Sequence, residues 1–198
     1  MVKKYRILLG AVLLAAVILT LSSCGQDKRV VLNVYNWGDY IDEEVIDLFE
    51  KTYNIRVNYD TFSTNEDMYV KIKSGGADYD VLFPSDYTIE RMIKEDMLHK
   101  LDLSNIPNYK YIADRFKNLD YDPANEYSVP YMWGTVGILY NRTMVEEPVT
   151  SWRILWDEKY SKQILMLDSQ RDSIGVALKM LDYDMNTRNL DELEAAKQ

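Results

Sequence analysis

The chain contains 198 residues with 32 acidic and 23 basic side chains, which gives a formal net charge of −9 at pH 7. This acidic balance disfavours nucleic acid and favours cationic partners. The single histidine, His99, and the single cysteine, Cys24, are too few for a multi-histidine metal site, a histidine-based catalytic triad or a disulfide. We therefore expect no nucleic-acid partner, no metal and no cofactor.

The N-terminal segment has the pattern of a secretory leader. A basic stretch over residues 2–6 precedes an almost unbroken apolar run, Ile7–Leu21, which closes as LSSC at Cys24. Basic, apolar and small residues in this order are typical of a signal peptide, and the run is short for a membrane-spanning helix, which needs roughly 20 apolar residues. LSSC resembles a bacterial lipobox, so we expect cleavage before Cys24, lipidation of Cys24 and tethering to a membrane surface. An uncleaved N-terminal anchor is the alternative.

Strand and helix patterns alternate after the leader. Apolar and β-branched runs predict strands at Val30–Tyr35, Ile55–Tyr59 and Val81–Phe83. Capping residues and glycines predict three helices between and after them. Their predicted bounds are Asp42 to about Asn54, the capping box Ser63–Glu66 to Gly75-Gly76, and Ser85 or Asp86 to about Glu95. This order predicts a parallel sheet with right-handed crossovers.

The remaining chain has weaker patterns. Leu101–Asn125 is polar with one short helix, and Tyr127–Tyr140 is predicted to be extended. Further predicted elements are a short helix at Ser151–Trp156, a strand at Gln163–Leu167, and helices at Asp172–Leu181 and Leu190–Lys197.

Ligands of open α/β sheets bind beyond the carboxyl ends of the strands. This rule selects three loops, Asn36–Tyr40, Ser85–Tyr87 and Asp168–Asp172, in which Arg171 is the one basic residue. Their aromatic and acidic side chains are Trp37, Asp39, Tyr40, Asp86, Tyr87, Asp168 and Asp172. Aromatic faces attract cations within about 6 Å, and carboxylates form charge-assisted hydrogen bonds to ammonium groups. The loops therefore predict an organic amine as ligand.

Several blocks of these loops and their flanks resemble one known family. The blocks, in chain order, are YNWGDY at residues 35–40, NEDMY at 65–69, YDVLFPS at 79–85, YSVPYMWG at 127–134, and TSW at 150–152 with LW at 155–156. Together they resemble the spermidine/putrescine-binding proteins of polyamine ABC transporters, from about Val30 to the end of the chain.

The resemblance implies roles for individual side chains. Trp37 and Tyr87 are similar to the aromatic walls of the amine channel. Asp39 and Tyr40 are similar to polar contacts from the same first loop. Ser85 resembles a residue that lines the site at the start of a helix.

The third loop and Gly38 bear on the choice of amine. Asp172 matches an acidic position that meets an ammonium group in the family. Ser169 stands where spermidine-binding members have an aspartate, although Asp168 is adjacent, and Gly38 stands where a threonine is common. Both departures leave open which amine is bound.

The resemblance also implies a fold and a role. We expect an α/β, two-lobed periplasmic-binding-protein-like fold of type II with an incomplete second lobe, because family members have a longer chain. The expected segments are a signal peptide over residues 1–23, a tether over 24–29, a first lobe over 30–133 and a partial second lobe over 134–198.

The implied function is non-enzymatic capture of a polyamine and its delivery to ABC transporter permease subunits. The protein would be lipid-anchored to the outer face of the cytoplasmic membrane or lie in the periplasm. The chain alone is expected to bind polyamine poorly. The alternatives are a binding protein of the same fold for another solute such as an iron or phosphonate ligand, an extracytoplasmic enzyme, or a fragment that binds no ligand.

Overall fold

The computed structural model describes residues 27–198, so the predicted leader and Cys24 lie outside the described residues. The described chain forms two compact units. The first contains residues 27–61 and 78–82, and the second contains residues 62–77 and 83–198. The predicted lobe boundary at residue 134 stays a prediction.

The first unit is built on a three-stranded sheet in the order β2-β1-β3. The strands are β1 (Val30–Trp37), β2 (Ile55–Phe62) and β3 (Val81–Leu82). β1 and β3 are parallel, with Val34 opposite Val81 and Tyr35 opposite Leu82, which confirms the predicted parallel pairing. Val34 and Tyr35 are buried at the centre of this sheet, so the apolar run that predicted β1 also supplies its core.

The helix that follows β1 matches its predicted bounds. Helix α1 (Glu43–Tyr53) begins after Asp42, whose carboxylate accepts a hydrogen bond from the backbone N–H of Glu44 at 2.9 Å. It ends at Asn54, which adopts the left-handed conformation with φ 52°. An acidic N-cap and a left-handed asparagine C-cap satisfy free backbone groups at the two ends of the helix.

Four helices organise the second unit. They are α2 (Asn65–Lys73), α3 (Asp86–Lys94), α4 (Gln170–Met180) and α5 (Leu190–Lys197). The predicted capping box at Ser63–Glu66 is wrong by one residue. Thr64 is the N-cap of α2, and its hydroxyl accepts from the backbone N–H of Asp67 at 3.1 Å and donates to the Asp67 carboxylate at 2.8 Å.

Three further expectations are corrected in the second unit. The polar stretch after α3 contains three short 3-10 helices instead of one helix, at Leu103–Asn105, Pro107–Tyr111 and Asp114–Phe116. Helix α4 begins two residues before the predicted Asp172, because Ser169 caps it. The strand predicted at Gln163–Leu167 is wrong. The segment is exposed and pairs with no other segment of residues 27–198, and a strand requires a partner.

The short helix predicted at Ser151–Trp156 is present as a 3-10 helix, Trp152–Trp156, capped by Ser151. Helix α5 has the predicted bounds. The extended stretch over residues 127–140 forms no strand. None of the helices within residues 27–198 has the length and apolar character needed to cross a membrane.

A cluster of charges joins α2 to the end of α3. The Glu95 carboxylate accepts hydrogen bonds from Lys73 Nζ at 2.7 Å, from the Tyr69 hydroxyl at 2.5 Å and from Arg91 Nε at 3.0 Å. These three donors, Lys73 foremost, lower the pKa of Glu95 to about 2. The ionised carboxylate therefore stabilises the packing of α2 and α3.

Lowering the pH should remove the contribution of the Glu95 cluster to the free energy of unfolding. The pKa of Glu95 is lower in the folded chain than its ordinary 4.5, so its contribution is present above about pH 4.5 and is lost as the pH falls towards 2. Glu95→Gln should reduce the free energy of unfolding at pH 7, and the gap to wild type should narrow between about pH 4.5 and 2. Urea unfolding followed by tryptophan fluorescence at several pH values measures this gap.

The matched control is Glu194→Gln on α5, where the carboxylate lies 3.4 Å from Lys197 and both side chains are largely exposed. This variant should change stability little at any pH, because exposed pairs contribute little. A gap between Glu95→Gln and wild type that does not depend on pH would contradict the assignment.

Candidate functional site

The loop after β1 brings two aromatic rings together. Trp37 ends β1, and the centroids of the Trp37 and Tyr40 rings lie 5.9 Å apart with a tilt of 31°. Between them Asp39 has φ 59°, a left-handed conformation that aspartate tolerates better than most residues. Asp39 and Tyr40 are exposed, and Trp37 is half-buried. Three predicted site residues therefore lie at the end of β1 and in the loop after it, where they form one aromatic and acidic segment of the first unit.

A buried amide organises the other predicted residues in the second unit. Asn65, the first residue of α2, is 4 % exposed. Its Nδ2 donates to the hydroxyl oxygens of Ser85 at 3.0 Å and Tyr87 at 2.7 Å, and its Oδ1 accepts from the backbone N–H of Ser85 at 3.0 Å. The amide thus uses its donor and acceptor atoms to fix the first turn of α3.

The hydrogen bond from Asn65 explains how α3 begins. Ser85 occupies the N-cap position, as predicted, but its side chain accepts no hydrogen bond from the helix backbone. The adjacent Asp86 carboxylate accepts from the backbone N–H of Tyr87 at 2.7 Å. The Ser85 hydroxyl is therefore committed to Asn65, and it lies beside the Tyr87 hydroxyl on the same donor group.

Tyr87 stands in a partly desolvated and acidic environment. Burial raises the pKa of its hydroxyl, the hydrogen bond from Asn65 works in the opposite direction, and the negative charges of Glu66 and Asp172 raise the pKa further. Carboxylates that act on this hydroxyl also attract a cation placed against the same ring. The predicted residues Tyr87 and Asp172 are thus electrostatically coupled.

A cavity of about 280 Å³ opens among α2, α3, α4 and α5. This volume lies near the lower end of the range typical of small-molecule sites. Apolar side chains line one side, including Ile174, Leu178 and Leu193. Its polar and aromatic lining includes Asn65, Glu66, Tyr69, Tyr87, Arg91 and Arg171.

The residues of the third predicted loop, Asp168–Asp172, do not form one loop, since Gln170–Asp172 belong to α4. Ser169 caps α4, since its hydroxyl accepts from the backbone N–H of Asp172 at 3.2 Å. Asp172 is half-buried and Asp168 is exposed, and neither of them lines the cavity. The negative charge of Asp172 nevertheless acts on the Tyr87 hydroxyl. The structure therefore brings Ser85 and Tyr87 together on the Asn65 amide, leaves Asp172 outside the cavity lining, and gives Ser169 a role in starting a helix.

Sequence reasoning missed Asn65 and Glu66 as site residues, although both stand in the NEDMY block. The one available signal was the position of Asn65, an amide that directly follows the helix-capping Thr64. A polar residue at the start of a helix is common, so this position did not stand out. Among residues 27–198, no group of three or more histidine, cysteine, aspartate or glutamate side chains is arranged to hold a metal ion.

Comparisons with known proteins identify the family of the chain. The profile of the family described as bacterial extracellular solute-binding protein matches residues 44–198. The spermidine/putrescine-binding periplasmic protein of Escherichia coli strain K12 is 38% identical over 184 residues, which cover 91% of this chain and 53% of that protein. A putrescine-binding periplasmic protein of Pseudomonas aeruginosa is 35% identical over 211 residues, covering 100% and 57%.

Solved structures show the same likeness. The Tp0655 lipoprotein of Treponema pallidum has a TM-score of 0.79 and 38% identity, covering 84% of this chain and 52% of that chain. The spermidine/putrescine ABC transporter substrate-binding protein of Streptococcus pneumoniae, solved with calcium and HEPES, has a TM-score of 0.69 and 44% identity over the same shares. These matches confirm the predicted α/β solute-binding-protein fold.

The chain spans about half the length of the curated relatives it matches, with 53% for the protein from Escherichia coli. The family profile nevertheless covers most of the described residues, including the whole second unit and the part of the first unit after residue 43. The chain therefore belongs to the bacterial extracellular solute-binding protein family.

Proposed function

We propose that this chain is a polyamine-binding component of an ABC transporter, acting outside the cytoplasmic membrane. The observation that carries the proposal is the Tyr87 ring, fixed by Asn65 and exposed to the charges of Glu66 and Asp172. The aromatic and acidic loop Trp37–Tyr40 of the first unit supports the same ligand chemistry. Relatives named as spermidine- or putrescine-binding proteins support the class of amine.

A polyamine carries chemical groups that complement both the carboxylates and the aromatic rings. Its ammonium groups form charge-assisted hydrogen bonds with carboxylates, and its methylene segments pack on aromatic faces. A cation over an aromatic ring contributes about 0.5–1 kcal/mol when exposed and about 2 kcal/mol when desolvated. Each unit therefore offers aromatic and acidic groups of the kind that the apolar and charged parts of a polyamine bind. We propose binding without chemistry, because the family is one of solute-binding proteins.

The exposure of several contact residues limits the expected affinity. Asp39, Tyr40 and Asp168 are exposed. An exposed ion pair contributes only about 0–1 kcal/mol. We therefore expect a Kd no tighter than on the order of 1 mM, which corresponds to about 4 kcal/mol. The same contacts would be stronger if a longer protein enclosed the ligand and excluded water.

The first test is a spermidine titration of the purified full chain, followed by ¹H–¹⁵N NMR. Spermidine should shift the Trp37 indole signal and the Tyr87 backbone signal with a Kd on the order of 1 mM. Trp37→Ala should weaken binding by about 1 kcal/mol or more, because a cation–π surface is lost. Trp156→Ala is the matched control, since this tryptophan is 46% exposed and belongs to no predicted ligand loop.

Two outcomes would refute the amine proposal. One is saturable binding of phosphate with similar shifts at the same signals. The other is a Trp37→Ala variant that binds spermidine as well as the Trp156→Ala control does.

The contacts of Asn65 predict that its loss affects both the stability of the chain and its affinity for spermidine. Asn65→Ala should lower the free energy of unfolding by about 1 kcal/mol, because the backbone N–H of the half-buried Ser85 loses its acceptor. It should also weaken spermidine binding, because the Tyr87 hydroxyl loses the donor that fixes the ring. Spermidine titration and urea unfolding measure the two effects.

A double-mutant cycle with Tyr87→Phe separates positioning from general damage. If Asn65 acts on binding through the Tyr87 hydroxyl, Asn65→Ala should change affinity much less in the Tyr87→Phe background than in wild type. Fully additive effects of the two substitutions on affinity would show that Asn65 does not act through Tyr87.

We further propose that the chain is a lipoprotein attached through Cys24. The LSSC sequence at residues 21–24 supports this, as does the likeness to a structure described as a lipoprotein. In the described chain, Arg29 is fixed to the fold, since its Nη1 donates to Glu50 at 3.0 Å and to the carbonyl of Ile55 at 3.3 Å. The residues between Cys24 and Arg29 would then form the tether.

The anchor has a direct test. Cys24→Ser should move the protein from the membrane fraction to the soluble fraction, or leave its leader uncleaved, because the thiol that carries the lipid is removed. Ser23→Ala is the control, since a small residue remains beside the cleavage site. Fractionation and mass measurement of the N-terminus report both effects. Normal processing with an unchanged membrane fraction in Cys24→Ser would contradict lipidation of this residue.

A further inference from the structure

Two arginines line the cavity of the second unit, and each lies over an aromatic ring. The Arg91 guanidinium is 3.8 Å from the centroid of the Tyr69 ring, and the Arg171 guanidinium is 5.5 Å from the centroid of the Tyr87 ring. Both rings also line the cavity. Each aromatic face is therefore already in contact with a cation that belongs to the protein.

The two cations are held differently. Arg91 donates to the Glu95 carboxylate at 3.0 Å, within the cluster that joins α2 to α3. Arg171 donates to the side-chain oxygen of Asn186, which is a neutral and exposed residue. The ion pairs formed within residues 27–198 do not include Arg171. Moving Arg91 would break an ion pair with a carboxylate, whereas moving Arg171 would break only a hydrogen bond to a neutral amide.

The position of Arg171 in its helix is also unfavourable for a cation. It is the second residue of α4, directly after Gln170 and the N-cap Ser169. The N-terminus of a helix carries a partial positive charge, which repels a guanidinium in the first turn. The Tyr87 ring and the nearby negative charges of Glu66 and Asp172 compensate for this repulsion. These are the same groups that would attract a ligand ammonium.

We propose that Arg171 is a built-in competitor of the ligand, which covers the face of Tyr87 until an ammonium group displaces it. This inference rests on the proposed polyamine function and adds a residue that sets the affinity of the site. The guanidinium and a ligand ammonium compete for one aromatic face and one set of carboxylates. Every amine must displace Arg171, so its presence weakens the binding of putrescine and spermidine by the same factor.

Spermidine and putrescine titrations of the purified full chain and its variants test the proposal. Arg171→Gln should lower both Kd values by about 3-fold to 10-fold, because the competing cation–π contact is removed. Arg171→Lys keeps a cation at the position and should stay close to wild type. Arg91→Gln is the matched control, because it removes a positive charge from the same cavity without uncovering Tyr87.

Asn186→Ala provides a second test that changes no charge. Asn186 is exposed, so the substitution should leave folding intact, and it removes the hydrogen bond that holds Arg171 near Tyr87. We expect a decrease of about 2-fold to 3-fold in both Kd values, smaller than for Arg171→Gln because the cation remains nearby. The ¹⁵Nε signal of Arg171 should also shift when wild type is saturated with spermidine.

The possible failures are distinguishable. Wild type that binds neither amine would refute the proposed function together with this inference. Normal binding by wild type, with unchanged or weaker binding by Arg171→Gln and Asn186→Ala, would refute the role of Arg171 alone. Equal gains in Arg171→Gln and Arg91→Gln, with no gain in Asn186→Ala, would reduce the effect to net charge and would also overturn the proposal.

Discussion

The buried amide of Asn65 is the contact on which the candidate site of the second unit depends. It joins the start of α2 to the start of α3 and satisfies the backbone N–H and hydroxyl of Ser85 together with the hydroxyl of Tyr87. A buried amide that lost these partners would be costly, so the arrangement is strongly specified. Its consequence is a tyrosine ring held in one position beside the charges of Glu66 and Asp172.

The two arginines that line the cavity of this unit have different partners. Arg91 belongs to the network of Glu95 and is part of the framework of α2 and α3. Arg171 has a neutral partner and sits in the first turn of α4, where the helix itself disfavours it. Charge composition alone does not distinguish these two roles. The difference arises from which carboxylates each guanidinium reaches.

Sequence patterns predicted the helices and strands that are determined by their own and neighbouring residues. Helix α1 matches because Asp42 and Asn54 cap it through their own side chains and backbone. β1 begins where its apolar and β-branched run predicts, but it continues two residues beyond Tyr35 to Trp37. Gln163–Leu167 failed because a strand also needs a partner, which an apolar run does not supply. For the site, the end of β3 selected Tyr87, whereas Asp172 was selected from the end of a predicted strand that the structure does not contain. Asn65 was missed because its importance comes from contacts 20 residues or more along the chain.

The central claim is that the Tyr87 ring is a contact surface for the methylene and ammonium groups of a polyamine. A transferred and isotope-filtered NOE measurement on the full chain with excess spermidine tests it most directly, because weak binding keeps the ligand in rapid exchange. We expect intermolecular NOEs between spermidine methylene protons and the ring protons of Tyr87. Spermidine NOEs confined to other residues, with none to Tyr87, would contradict it.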